Sequence, residues 1–565
     1  MNRHLLAAFT LGSFAACAIF LGPMASAAVY RSADYGVRGD GVVDDGPALS
    51  RMVAAALAKR GEPSVLQMEE GKTYRVSSIP GDWLFEFHEV ENLVLDGGGS
   101  VFLLDAAPRF LLIEGSKQVI VRNLKVDYSP LPFADGRVIR ADKANRRIEV
   151  ELAKTATAPL GGPTRSGGEQ AFFAMLWNDG TYIPLHTHCD VENLTAGDRP
   201  GLSFLTPTPD FKGFAQIHPG KTRISLPVPG IAHRRGPGAT FHISGNSDIT
   251  FEDVELWSAP WFGFEVNRNH GKVTFLRTHI RPKPGSGRLM STWRDGFHVK
   301  GNRGPLLWDS CIVSGMCDDA FNISTHSSVV SKMISPTRIQ VRQKFPLLFI
   351  PWHEGGSLTA ADEETAKLLG NARIVKIEQQ PSKRLIEGKP AAPETEITLE
   401  NSIPGLAAGT MVWDPASSNP ETLLKNCTIE MSCRFQSPVK LEGCTARALI
   451  WFYAEKIEGV FPSGASVRNC NLYRGRGNAS AALIVKGSPS GKANDDAAWA
   501  SPRAVQDVIV ENNRIYGTVT IEGVENLRFK GNRLFDKGFP LQLRRNQGAE
   551  VADNIGPDGN PIPAP

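Results

Sequence analysis

Apolar residues along this chain fall mostly at every second position, in runs of four or five, with polar turn residues between the runs. A period of two is the mark of a half-buried strand. One phrase recurs: alternating apolar positions, a polar or asparagine turn, then another short apolar strand. It reads "QVIVRNLKV" (118–126), "DITFEDVEL" (248–256), "KVTFLRTHI" (272–280), "PLLWDSCIV" (305–313) and "TLLKNCTIE" (422–430). It returns as "ASVRNCNLY" (465–473), "DVIVENNRI" (507–515) and "NLRFKGNRL" (526–534). From Ile249 to Val273 is 24 residues, and from Val508 to Leu527 is 19. Units this short cannot bury an apolar face alone, so they must stack on one another. The fold class that follows is all-β, a right-handed parallel β-helix. Leucine-rich repeats have a similar period, but their L-x-x-L-x-L-x-x-N signature is absent.

One segment breaks the period. In "DDGPALSRMVAAALAKRG" the residues Leu49, Val53, Ala54 and Leu57 share a helical face, with Asp44-Asp45 placed to cap it. Such a helix would cover the open edge of the first coil. The repeat is also interrupted twice. Residues 128–240 contain a hairpin pattern, "GRVIRADKANRRIEVEL", and later "TRISLP"; residues 327–418 contain "TRIQVRQKF", "ARIVKIEQQ" and "TEITLEN". Both predict small all-β insertions, which gather on one side of a solenoid and can wall a groove. The expected organisation is a leader at 1–27, cap and first coils at 28–127, an insertion at 128–240 and central coils at 241–326. A second insertion at 327–418, C-terminal coils at 419–555 and a tail at 556–565 complete it.

Composition narrows the class. The 55 glycines and 39 prolines among 565 residues suit many turns. Arg3 and His4, the apolar run after them and Ala25-Ser26-Ala27 form a secretory-signal pattern, so the protein is expected to be exported, periplasmic or secreted. Cys17 fits lipid attachment less well, because the apolar run continues past it. No later stretch reaches about 18 apolar residues, so no membrane span is expected. A net charge of +3, or +2 without Arg3, gives no electrostatic reason to bind nucleic acid. The sequence assigns no oligomeric state. The seven cysteines beyond the leader match no zinc spacing, and Cys427, Cys444 and Cys470 lie in strand-like segments as small buried hydrophobes.

The candidate chemistry lies where three coils align. "FGFEVNRN" (262–269), "DGFHVKGN" (295–302) and "DAFNISTH" (319–326) put Phe264, Phe297 and Phe321 in one inward column, and Val266, Val299 and Ile323 in another. Glu265, His298 and Asn322 then point outward. Asp295 and Asp319 share a register on neighbouring coils, with Asp318 beside them, so three carboxyl groups should surround one spot. Arg294, His298 and Asn322 would rim it. The loop at 281–294 should overhang it, carrying Trp293, and Trp257 or Trp261 could also stack on a sugar face. Crowded carboxyls raise one another's pKa, which provides the acid and the base of glycoside hydrolysis. Isolated residues have plainer readings: Asp253 and Asp309 as turn caps, His298 and His326 as surface histidines.

The opening "DYGVRGDGVVDDGPAL" resembles the N-terminal cap of pectate-lyase-like β-helix proteins. The "D-G-F-H-V…D-D-A-F-N-I" pattern is similar to that of polygalacturonase-type glycosidases and, more closely, of glycoside hydrolase family 110, the exo-acting α-1,3-galactosidases. That resemblance implies an inverting, metal-independent hydrolase without a cofactor, acting on a carbohydrate. It implies Asp318 as general acid, with Asp295 and Asp319 holding the water. Inversion needs carboxyls about 6.5–9.5 Å apart, a span that adjacent coils can supply between Asp318 and Asp295. The chain departs from the family in "WRDGFHV" and "ISTHSS", and it lacks the Gly-His-Gly and Arg-Ile-Lys motifs of polygalacturonases. Two other readings stay open: a polygalacturonase-like hydrolase or polysaccharide lyase using Arg294, Lys300 or Arg303, and a non-catalytic carbohydrate-binding solenoid.

Overall fold

The computed structural model describes residues 27–59, 61–105, 108–152, 162–163, 173–177, 189–227, 238–325, 327–343, 351–380, 385–386, 389–390, 394–454, 458–459, 461–475, 481–487, 501–538 and 540–563. The leader as far as Ser26, with Cys17, and His326 lie outside the described residues. The repeated phrase folds as expected into a right-handed parallel β-helix. Eleven strands stack in chain order from Trp83–His88 to Leu541–Arg544 as one sheet, and a 22-stranded sheet carries the other faces.

Each phrase spans a corner of the larger sheet. Val273–Leu276 and His279–Ile280, for example, pair in parallel with Leu306–Asp309 and Ile312–Val313. The first corner residue is left-handed: Arg277 (φ 47°), Ser310 (58°), Asn426 (53°), Asn469 (55°) and Asn512 (56°). One left-handed residue resets the alternation, so the next side chain turns into the tight corner. Thr278, Cys311, Cys427, Cys470 and Asn513 fill that place, all buried. This is why Cys311, Cys427 and Cys470 are there, and all seven described cysteines are buried.

Two ladders hold the central coils in register. Phe241, Phe264, Phe297 and Phe321 stack with centroids 4.2, 5.0 and 5.0 Å apart. Across the core Phe251, Phe275 and Trp308 stack at 5.2 and 5.0 Å and meet the first column edge-on. Burying each such ring contributes about 1.5–3 kcal/mol. Just beyond the smaller sheet's strands, the buried Asn246, Asn269, Asn302 and Asn419 form a polar ladder. The backbone N–H of each of the first three donates to Oδ1 of the next, at 3.0, 2.9 and 2.9 Å. Their Nδ2 groups donate to backbone carbonyls, so buried polar atoms are paired and the coils cannot slip.

The cap helix, Gly46–Leu57, differs from the expected face. Ala48, Leu49, Met52, Val53 and Ala56 are buried, whereas Ala54 is exposed. Asp45 does not cap it through its side chain, which accepts instead from the backbone of Arg38 and Gly39 at 2.7 and 3.0 Å.

Both interruptions are β structures. The first holds a seven-stranded antiparallel sheet that includes the expected hairpin, Phe133–Asp142 with Arg147–Leu152. The second is a closed six-stranded barrel. Phe133, Met175 and Trp177 of the first pack on Trp261, Met290 and Trp293, which precede the smaller sheet's strands. The barrel leaves the chain just after Phe321–Ser324, and Arg303 donates to its Pro351 carbonyl at 2.8 Å. The two insertions therefore flank the outer face of the eleven-stranded sheet.

Candidate active site

Strand pairing of Phe297 with Phe321 sets Asp295 and Asp319 at one register, two residues ahead of the aromatic column. Here the coils approach closely: a Cβ on Gly296 would lie 2.8 Å from the Ala320 carbonyl oxygen. Asp295 and Asp319 are 3% and 4% exposed, whereas the Asp318 side chain keeps 28%. One carboxyl oxygen of each of the three lies within 4.8 Å of the others. The same three oxygens would also suit a cation, but cationic side chains already crowd them.

Arg294 Nη1 lies 3.1 Å from Asp318 Oδ2, and its guanidinium covers the Trp261 ring at 5.0 Å. His298 Nδ1 is 2.7 Å from Asp295 Oδ2, its ring stacked on Phe262 at 4.5 Å. Asp319 Oδ1 accepts from Ser432 at 3.1 Å, and Arg434 Nε stands 3.6 Å from Oδ2. Burial pushes the Asp319 carboxyl well above the usual carboxylate range, and the charges of Asp318 and Asp295 push it further.

A second polar group adjoins the first. Lys300, 3% exposed, donates to Asn322 Oδ1 at 2.9 Å and to Ser324 Oγ, with Glu458 3.6 Å away. Asn322 Nδ2 donates to Glu458 at 3.3 Å, and Arg434 Nη2 is 3.8 Å from the same carboxylate. Burial alone would raise Glu458, but Lys300, Arg434 and His298 outweigh it and hold the carboxyl down at about 2.

Of the residues expected here, Arg294, Asp295, His298, Asp318, Asp319 and Asn322 come together. Glu265 sits one coil away, 2.9 Å from His242 Nδ1. Trp293 does not overhang the site with an open ring: at 2% exposed it packs with Trp177, Met290 and Cys317. The loop at 281–294 needs an anchor, and the indole serves there. Trp261 is likewise buried, under Arg294. Lys300, Arg434 and Glu458 were not singled out as binding residues. The first alternates outward two places after His298, and Arg434 aligns with Asn322 across the barrel. Glu458 comes after the strand Ile450–Tyr453 and outside any strand, with no periodic signal.

No protein-family model matches the chain. It is 24% identical to α-1,3-galactosidase B of Bacteroides thetaiotaomicron over 445 residues, 75% of this chain and 63% of that protein. It is 21% identical to α-1,3-galactosidase A of Bacteroides fragilis, over 79% of this chain and 74% of the relative. With α-1,3-galactosidase A of Akkermansia muciniphila it shares 26% identity over 63% of this chain and 59% of the relative. Among solved structures, the A-module of a mannuronan C-5 epimerase from Azotobacter vinelandii overlaps with TM-score 0.34 at 11% identity, covering 93% of this chain and 97% of that one. An endo-xylogalacturonan hydrolase from Aspergillus tubingensis gives 0.30 at 10%, covering 94% of each. Overlaps this loose say nothing about activity. By sequence, the chain is similar over most of its length to the α-1,3-galactosidases, the family its paired-aspartate pattern resembles.

Proposed function

We propose that this protein is an exported, exo-acting glycoside hydrolase that removes terminal α-1,3-linked galactose from a glycan, by inversion and without a metal. The observation that carries the reading is the triad of Asp295, Asp318 and Asp319 within 4.8 Å of one another on a chain similar to α-1,3-galactosidases. Three crowded carboxyls cannot all ionise cheaply, so the cluster holds a proton to higher pH than a lone carboxyl would. Burial favours Asp319 as its resting place. Asp318, adjacent and more exposed, delivers it to the glycosidic oxygen as the bond to C1 breaks. Asp295, fixed by His298, is the better base: it takes a proton from the water whose oxygen bonds to C1. Asp318 then regains a proton from the cluster or solvent.

The rival outcome is retention, in which a carboxylate attacks C1 directly. The lyase reading has less support. Lys300 is buried against Asn322 and Ser324, and Arg303 is engaged with the barrel. Incubation with α-1,3-galactobiose tests the proposal: galactose release by the wild type, lost in Asp318→Asn, supports it. An unsaturated product absorbing in the ultraviolet from a uronate polymer, with no galactose released, would replace it by a lyase.

A further inference from the structure

We infer that the substrate lies along the solenoid axis in one direction, with its terminal sugar toward the C-terminal coils and its leaving-group chain over the N-terminal ones. This rests on the hydrolase reading above. The first observation is a closed end. Glu458 follows the strand Ile450–Tyr453, two coils beyond Phe321–Ser324. It nevertheless reaches back to Asn322 at 3.3 Å and Lys300 at 3.6 Å, passing Arg434. The Glu458 carboxylate thus stands over the outer face just past the aspartates. Further along, the barrel is tied to the C-terminal coils, since Leu368 N–H donates to the Pro502 carbonyl at 2.8 Å and Ala504 N–H to that of Ala366 at 2.9 Å.

The second observation is the other direction. Phe262, Glu265, His242 and Trp83 run along the same outer face toward the N-terminal coils, and all are partly exposed. Phe262 stands in the column of Asp295 and stacks on His298 at 4.5 Å. His242 and Glu265 follow the outward register of His298, 2.9 Å from one another. Trp83 shares the column of Asp295 four rungs away, which at about 4.8 Å per rung is about 19 Å. Its ring centroid is 6.3 Å from that of His242. A pyranose is about one rung long, so this face offers rings for sugar stacking and a carboxylate and imidazole for hydroxyls, in steps that match an oligosaccharide. The ligand class is an oligosaccharide, with the Arg109 guanidinium lying 5.2 Å from the Trp83 ring centroid on the same face.

The test compares KM for an α-galactosyl-terminated pentasaccharide, whose four leaving-group sugars span about the four rungs to Trp83, with KM for p-nitrophenyl α-galactoside. In Trp83→Ala the ratio of the two should rise about tenfold, the loss of one aromatic contact. Thr520→Trp, on the outer face of the C-terminal coils, should leave the ratio at the wild-type value. If Trp83→Ala does not fold, His242→Ala reads the same ratio. A ratio raised by Thr520→Trp, or unmoved in both N-terminal variants, overturns the direction. A wild type that hydrolyses no galactoside overturns the hydrolase reading instead.

Discussion

Arg434, one coil beyond the aspartate pair, holds its Nε 3.6 Å from Asp319 Oδ2, a buried oxygen with no hydrogen-bond partner among the described residues. The guanidinium is the nearest compensation for a carboxyl that burial and two neighbouring carboxylates all press to stay protonated. Its other contacts, Tyr453 Oη at 2.9 Å and Glu458 at 3.8 Å, tie the proton-holding cluster to the neighbouring polar group. The aspartate cluster and the Lys300–Glu458 group therefore share one electrostatic network.

Asp319 holds its proton to higher pH in the folded chain than in the unfolded one, where its value is near 3.8. Across the window between those values the folded state binds more protons, so its stability falls as pH rises. Asp319→Asn removes that cost. It should melt higher than the wild type above the window, match it below 3.8, and hydrolyse about 10²–10⁴-fold more slowly. Thermal melts on both sides of the window check this.

Glu458 is the reverse case, held at about 2 against an ordinary 4.5. Its stabilising contribution is complete above 4.5 and disappears as pH falls toward 2. Glu458→Gln should therefore melt below the wild type at neutral pH, with the gap closing only under acid. A gap that is unchanged by acid would mean that the contacts with Lys300 and Arg434 are not ionic.

Phe297 stacks between Phe264 and Phe321 at 5.0 Å on each side and meets Phe275 and Trp308 edge-on. Phe297→Ala should cost about 3–5 kcal/mol in chemical denaturation. Activity should fall too in the protein that remains folded, because Asp295 is placed by the same strand.

Three carboxylates within 4.8 Å would suit a cation, yet Arg294, Arg434 and His298 already face them. Exhaustive EDTA treatment should leave galactose release unchanged. A loss restored by calcium would point to the lyase reading.

The coils and the shared register of Asp295 and Asp319 were legible because strands repeat every two residues and stacked coils repeat each other. The phenylalanine column made the alignment unambiguous across 262–326. Trp293 misled, because an aromatic residue in a glycine- and proline-rich loop reads the same whether it meets solvent or anchors the loop. Arg434 was hidden by the barrel, which separates it from Asn322 by 112 residues although their strands are adjacent. Glu458 could not be placed, since a loop's return path follows tertiary contacts, not a local pattern. The helix face was misplaced by one position, Met52 and Ala56 packing where Ala54 was expected.

The most direct test of the three-aspartate mechanism is the anomer first released from α-1,3-galactobiose, followed by proton NMR in the wild type beside Asp318→Asn. Inversion with Asp318 as acid gives β-galactose from the wild type and none from the folded variant. α-Galactose as the first product would contradict inversion, and no galactose from folded wild-type protein would contradict the assignment itself.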